Sequence, residues 1–228
     1  MRPELRRVGS SQSPVVVIDE FSGDIEAVAS LADALGPFPL NRGNYYPGVR
    51  RTITEADAAA FAYMRNLCQV SAQFIAGAFG FDHFRLLSGS FSIVTTEPSE
   101  LIEPQRFPHF DSTDPKYLAL LHYVRVPANS GTAFFRQRST NIEQVTDANH
   151  EAFVRAAQTE VRQMPADIGY IHGSNHFFEQ IGAVEAVPDR LVIYQGSLLH
   201  SGIIPPGMTL SADPREGRLT ANIFVQGQ

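Results

Sequence analysis

The chain has 228 residues, 43% of them apolar, enough to bury a full core in one domain. Its 18 basic and 24 acidic side chains leave a net charge of −6, and no lysine or arginine run follows a phosphate backbone, which disfavours nucleic acid as a partner. A lone cysteine, Cys68, excludes an internal disulfide and a cysteine-based zinc knuckle.

Residues 1–13 are expected to form a flexible polar tail; they carry charge but no apolar segment of the secretory type. No stretch reaches membrane-spanning length, so a cytoplasmic protein without a membrane partner is expected. From Val15 to Ile18 a short continuous apolar run has the character of a buried strand. Ser22-Gly-Asp24 then opens a segment in which Ile25, Val28, Ala29, Leu31, Ala32 and Leu35 recur at helical spacing until Gly36-Pro37. The stretch from Asn44 to Arg51 reads as a tight ordered loop around Tyr46-Pro-Gly48, and such loops also form the rims of active sites. Thr54-Glu-Ala-Asp57 has capping-box spacing and introduces a long helix running to about Gly80. Strands are predicted over 84–96, 117–126, 132–138, 177–187, 190–194 and 219–226, with one inserted helix over 147–163. The order, helices first and short punctuated strands second, predicts one mainly β (α+β) domain over 14–228. Its architecture is a jelly roll, or double-stranded β-helix, with the amino-terminal helices packed on one sheet.

The chemistry lies in the strands. His109 and Asp111 stand two apart in a His-Phe-Asp triplet, so on a strand both project to one face. His200 is a candidate third partner. Two neutral imidazoles and one carboxylate on one face of an ion leave positions free for reacting ligands, the signature of non-heme Fe(II) oxygenases. The triplet by itself is weak in a chain with seven histidines, and His200 sits in a turn-rich segment where a histidine is more often a plain loop residue. Further along, Arg218, Thr220, Asn222 and Phe224 share one face of the last strand. In isolation such an arginine is more often a surface ion pair, but one pointing into a barrel demands an anion that its planar fork can bind.

Other polar residues read differently. Asp114-Pro115 is turn initiation, and His122 alternates with Tyr123 and therefore faces the opposite side of its strand. His172 and His176 flank Gly173-Ser-Asn, a loop. Arg136 and Arg138 share a face, either solvated or turned to an acidic group.

In order along the chain, several segments resemble the Fe(II)/2-oxoglutarate-dependent dioxygenases, especially their prolyl-hydroxylase-like branch. Val15 to Asp19 is similar to that family's opening strand, Pro108 to Val124 to its metal strand and the strand after it, and Ser130 to Phe135 to its glycine turn. Arg190 to Gly202 resembles the stretch holding the distal histidine, and Arg218 to Val225 the closing strand. The resemblance covers roughly residues 14–228. It implies that His109, Asp111 and His200 hold Fe(II), while Arg218, Tyr123 and Thr220 hold the far carboxylate of 2-oxoglutarate. With O2, the implied reaction hydroxylates an unactivated C–H bond and releases succinate and CO2. A carboxylate at Asp111 argues against the family's halogenase variant. The implied partner is a small molecule, amino acid or peptide, with Tyr46, Arg50, Arg136, His172 and Asn222 as candidate substrate contacts.

The chain departs from the family in two places. The separation of His200 from Arg218 is longer than in the compact prolyl hydroxylases, which leaves Arg215 as a competitor for the cosubstrate. Tyr123-Val-Arg125 stands where the family has Tyr-Leu-Asn. Two other readings stay open: a cupin-type metalloenzyme that does not use 2-oxoglutarate, and a non-catalytic jelly-roll binding protein.

Overall fold

The computed structural model describes residues 1–39, 45–165 and 169–228. Among these, ten strands form two antiparallel sheets accompanied by three α-helices, a mainly β double-stranded β-helix as expected. In chain order the elements are β1 (Arg2–Val8), β2 (Ser13–Asp19), α1 (Ile25–Ala34), β3 (Gly48–Thr52), α2 (Ala58–Phe79), β4 (Phe84–Val94), β5 (Tyr117–Arg125) and β6 (Gly131–Gln137). They continue with α3 (His150–Val161), β7 (Phe178–Glu185), β8 (Leu191–Gln195), β9 (His200–Ile203) and β10 (Leu219–Gly227). The large sheet runs β1-β2-β8-β5-β10-β4-β3 and the small one β7-β6-β9.

Side-chain alternation divides the interior into layers. On β2, Val15 and Val17 face the space between the sheets with Leu121, Tyr123, Phe134 and Tyr194. Val16 and Ile18 point the other way, onto α1 and α2, alongside Leu120, Ile193, Leu219, Ala221 and Ile223. This double burial is why β2 reads as an unbroken apolar run. On the same outer layer His122 is fully buried, bonded to Tyr63 on α2 at 2.7 Å and to Asp189 at 3.0 Å. It is a core residue, as its alternation with Tyr123 implies. Aromatic residues Phe107, Phe135, Phe153 and Phe178 close the outer face of the small sheet beneath α3.

Helix boundaries follow local chemistry. Asp24 caps α1, its carboxylate accepting from Ala27 N–H at 3.1 Å. Gly80 ends α2 in the left-handed region at φ 75°. The expected capping box is only half made: Asp57 accepts from the Thr54 N–H and hydroxyl, both at 2.9 Å, as a turn ahead of the helix, and no side chain caps α2.

Three segments differ from expectation. Residues 1–13 are not a flexible tail: β1 pairs along its whole length with β2, from Arg2 opposite Asp19 to Val8 opposite Ser13. Its mostly exposed face carries no hydrophobic period, so pairing rather than pattern makes it a strand. β3 emerges from the stretch read as a loop, and β9 from the turn-rich segment around His200. At Gly48 a Cβ would stand 2.0 Å from the Ile93 carbonyl oxygen, so only glycine lets β3 approach β4. Asn44 lies outside the described residues.

Candidate metal centre

His109, Asp111 and His200 come together with their ligating atoms within 4.8 Å of one another. The triplet is not on a regular strand, as the two-residue spacing had implied. His109 forms an isolated antiparallel bridge with His200, its N–H donating to the His200 carbonyl at 2.9 Å and its carbonyl accepting from the His200 N–H at 2.8 Å. That exchange holds the two rings with centroids 4.3 Å apart. Asp111 is anchored separately, its N–H donating to the Gly196 carbonyl at 2.7 Å. A Cβ on Gly196 would lie 3.1 Å from the Asp111 Cβ and 2.6 Å from the Tyr117 ring, so this glycine makes room for the carboxylate.

The ring of His200 is oriented for ligation. Its Nδ1 lies 2.8 Å from the Leu198 carbonyl, which can only accept, so Nδ1 carries the proton and Nε2 offers its lone pair. Nε2 stands 3.6 Å from Asp111 Oδ2, and His109 Nε2 stands 4.0 Å from Asp111 Oδ1. Tyr194 packs edge-on against the His200 ring at 4.8 Å. His109 is 56% accessible at its side chain, against 6% for His200. Yet its pKa is held well below the ordinary imidazole range, first by the protein around it and then by His200 and Arg50. Burial raises the Asp111 pKa, while His200 and Arg50 oppose that shift.

Arg218 stands just before β10, 5% exposed. Its Nη2 donates to the Gly131 carbonyl at 3.1 Å, and its guanidinium carbon lies 5.7 Å from the centroid of the Tyr123 ring. Its Nε is buried with no hydrogen-bond partner among the described residues. Tyr123 is fully buried on β5 with its hydroxyl bonded to Thr132 at 2.7 Å. Thr220 pairs across the ladder with Tyr123 and reaches the Ser92 carbonyl at 3.5 Å, a marginal bond. Asn222 lies on the same face, part-buried, and donates to Thr220 at 3.4 Å. Arg215 is exposed in a turn, which removes it as a competitor. Thr132 and Gly196 were not singled out from the sequence; the Ser-Gly-Thr turn and the Gln-Gly-Ser turn were the available signals.

The remaining candidates divide. Arg50 projects from β3, where it pairs with Ser92, so Arg50, Ser92, Thr220 and Tyr123 form one row across the inner face of the large sheet. Its guanidinium carbon lies 4.1 Å from the centroid of the Tyr46 ring. Arg136 does not offer a free charge: Glu143 takes its Nε at 2.8 Å and Glu179 lies 3.5 Å from its Nη1. Arg138 donates to the Asn175 carbonyl at 3.0 Å. His172 and His176 are exposed in the loop before β7 and stand outside the ligand cluster. Asp114 serves its turn, accepting from Lys116 N–H at 2.8 Å.

No curated protein matches the chain. The profile of a family described as a family of unknown function (DUF6445) matches residues 1–225. Among solved structures, the chain is similar to the non-heme alpha ketoglutarate dependent epimerase SnoN from nogalamycin biosynthesis. The TM-score is 0.55 at 12% identity, over 95% of this chain and 79% of that one. HygX from Streptomyces hygroscopicus, solved with nickel and 2-oxoglutarate, matches with TM-score 0.54 at 14% identity, over 96% of this chain and 84% of its own. The viral collagen prolyl hydroxylase of Paramecium Bursaria Chlorella virus-1 matches with TM-score 0.50 at 10% identity, over 94% and 96%. At these identities the likeness is one of fold, and that fold is the one shared by the Fe(II)/2-oxoglutarate dioxygenases.

Proposed function

The chain belongs to the family of unknown function DUF6445, and we propose that it is an Fe(II)- and 2-oxoglutarate-dependent oxygenase. In this reading a substrate C–H group, O2 and 2-oxoglutarate give the corresponding alcohol, succinate and CO2. The substrate class is a small molecule, an amino acid or a peptide.

One observation carries the reading: the buried Arg218 Nε with no partner. A buried donor left unpaired costs roughly 1–3 kcal/mol, and more when it belongs to a charged group. An anion beside Arg218 would remove that cost, and a carboxylate matches the guanidinium fork. A cupin-type metalloenzyme that does not use 2-oxoglutarate needs no such arginine. The neighbouring His109, Asp111 and His200 supply the N,N,O donor set that suits Fe(II) and leaves positions open. Iron bound there would supply the activation of O2.

The protein's own residues have separate tasks. The Leu198 carbonyl fixes the His200 tautomer, and the Gly196 carbonyl fixes Asp111. Arg218 would orient the cosubstrate by its free carboxylate. Tyr123 and Thr132, bonded to each other, lie beside that end of the site. The aliphatic and aromatic wall of Leu121, Phe134, Val192 and Tyr194 keeps water from the reacting carbon.

Anaerobic addition of Fe(II) and then 2-oxoglutarate tests this directly. A weak visible charge-transfer band is expected in the wild type. Arg218→Ala should raise the 2-oxoglutarate concentration needed by at least ~30-fold, since truncating one partner of a buried charge pair costs about 2–5 kcal/mol. Bound iron without the band would refute the reading.

A further inference from the structure

The inner face of the large sheet carries two arginines with unmet hydrogen-bonding capacity among the described residues, and a cosubstrate chelated at one end has only one free carboxylate to offer. The Arg50 side chain makes no hydrogen bond or ion pair with the described residues, and its Nε is buried without a partner among them. Stacking over the Tyr46 ring at 4.1 Å satisfies the face of the guanidinium but none of its N–H donors. Its row on the sheet turns it toward the same interior as Thr220 and Tyr123, two strands away from β10. With strands spaced about 4.8 Å apart, and Arg218 two residues further along β10, the two arginine backbones stand roughly 12 Å from one another. A carboxylate held bidentately by one fork satisfies that guanidinium and leaves the donors of the other arginine to a second anion. Arg50 stacks on Tyr46, whose buried hydroxyl also lies within reach of the Arg218 charge, so the two arginines share one interior.

On this basis, and resting on the oxygenase reading for the role of Arg218, we infer that Arg50 is a substrate-binding residue that takes a carboxylate of the substrate and holds it next to the reacting carbon. A carboxylate fits better than a phosphate. A single bidentate pair with the planar guanidinium engages both oxygens of a carboxylate, whereas a phosphate would keep further charge and oxygens unpaired. Tyr46 is the positioning residue: its ring fixes the guanidinium plane, and therefore the direction from which the anion approaches.

The minimal probe is trifluoroacetate, followed by ¹⁹F line width on Zn(II)-loaded protein with and without saturating 2-oxoglutarate; trifluoroacetamide is the neutral control. With 2-oxoglutarate present, saturable broadening of trifluoroacetate but not of the amide is expected. Arg50→Gln should reduce the broadening at least five-fold, and Arg50→Lys, which keeps charge without the fork, should give an intermediate value. Arg155→Gln, a change at an exposed arginine on α3, should leave it unaltered. Thermal midpoints of the variants confirm folding, and Arg50→Lys carries the test if Arg50→Gln does not fold. No saturable broadening in the wild type, or equal broadening in Arg50→Gln, overturns the inference. Loss of 2-oxoglutarate binding in Arg50→Gln also overturns it, by making Arg50 the cosubstrate residue. Absence of 2-oxoglutarate binding in the wild type refutes the oxygenase reading instead, and the Zn(II)-only titration still decides whether Arg50 binds an anion.

Discussion

Replacing Glu143 with glutamine should detach the amino-terminal hairpin from the small sheet in a pH-dependent way. The Glu143 side chain is 3% exposed and lies between the two parts. Its Oε1 accepts from the Ser10 N–H at 3.0 Å, the Ser10 hydroxyl at 2.8 Å and Arg136 Nε at 2.8 Å. Its Oε2 accepts from the Ser11 N–H at 3.0 Å and the Ser11 hydroxyl at 2.6 Å. Burial alone would push this carboxyl up, but the bonds from Ser11 and Ser10 prevail and hold it at about 2. The folded pKa thus lies below the unfolded one, so the stabilisation is complete above the unfolded value of 4.5 and is lost as pH falls toward 2. At roughly 1.4 kcal/mol per pH unit, the full effect is about 3 kcal/mol. Glu143→Gln should therefore cost about 2–3 kcal/mol at pH 7, or a fall of roughly 4–12 °C in Tm for a chain of this size. The difference from the wild type should shrink steadily between pH 4.5 and pH 3. Urea denaturation at pH 7, 5, 4 and 3 measures it, and amide exchange at Ser10 and Ser11 reports whether the hairpin opens locally. A difference that is the same at pH 7 and pH 3, or below about 0.5 kcal/mol throughout, would refute the assignment of the stabilisation to this carboxylate.

Two further outcomes follow from contacts in the site and the core. Gly196→Ala should fold yet lose at least ~10-fold in Fe(II) or Mn(II) affinity, because its Cβ would displace Asp111 and Tyr117; unchanged affinity by metal titration would contradict the packing described. Asp189 accepts from Ser22 N–H and Oγ, Gly23 N–H and His122, at 2.6–3.0 Å, and these partners hold its carboxyl well below the usual range despite burial. Asp189→Asn keeps the shape and tolerates the φ of 65°, and should lower stability by about 2–4 kcal/mol, read by chemical denaturation at pH 7.

How much was legible beforehand depended on whether a signal was local. Helices α1 and α2 carry their own period, and β2, β4, β5 and β10 carry apolar runs or alternation, so each was predicted within a few residues. The segments missed were β1, β3 and β9, whose residues are polar, glycine-bearing or short. Such strands exist because a neighbour offers a ladder, and a neighbour distant in sequence leaves no local trace. For the same reason nothing in the sequence around Arg136 shows that Glu143 and Glu179 take its charge.

For the site, the candidate chemistry was legible as residue types in order along the chain: a His-x-Asp triplet, a distal histidine and an arginine at a strand start, each weak alone and informative as a set. Only the tertiary structure decided the geometry. The bridge between His109 and His200, the room left at Gly196 and the row that turns Arg50 inward all depend on register between strands far apart in sequence. A one-residue slip in any of those pairings would send the same side chains to the opposite face, and that choice is made by packing of the whole sheet rather than by any segment alone.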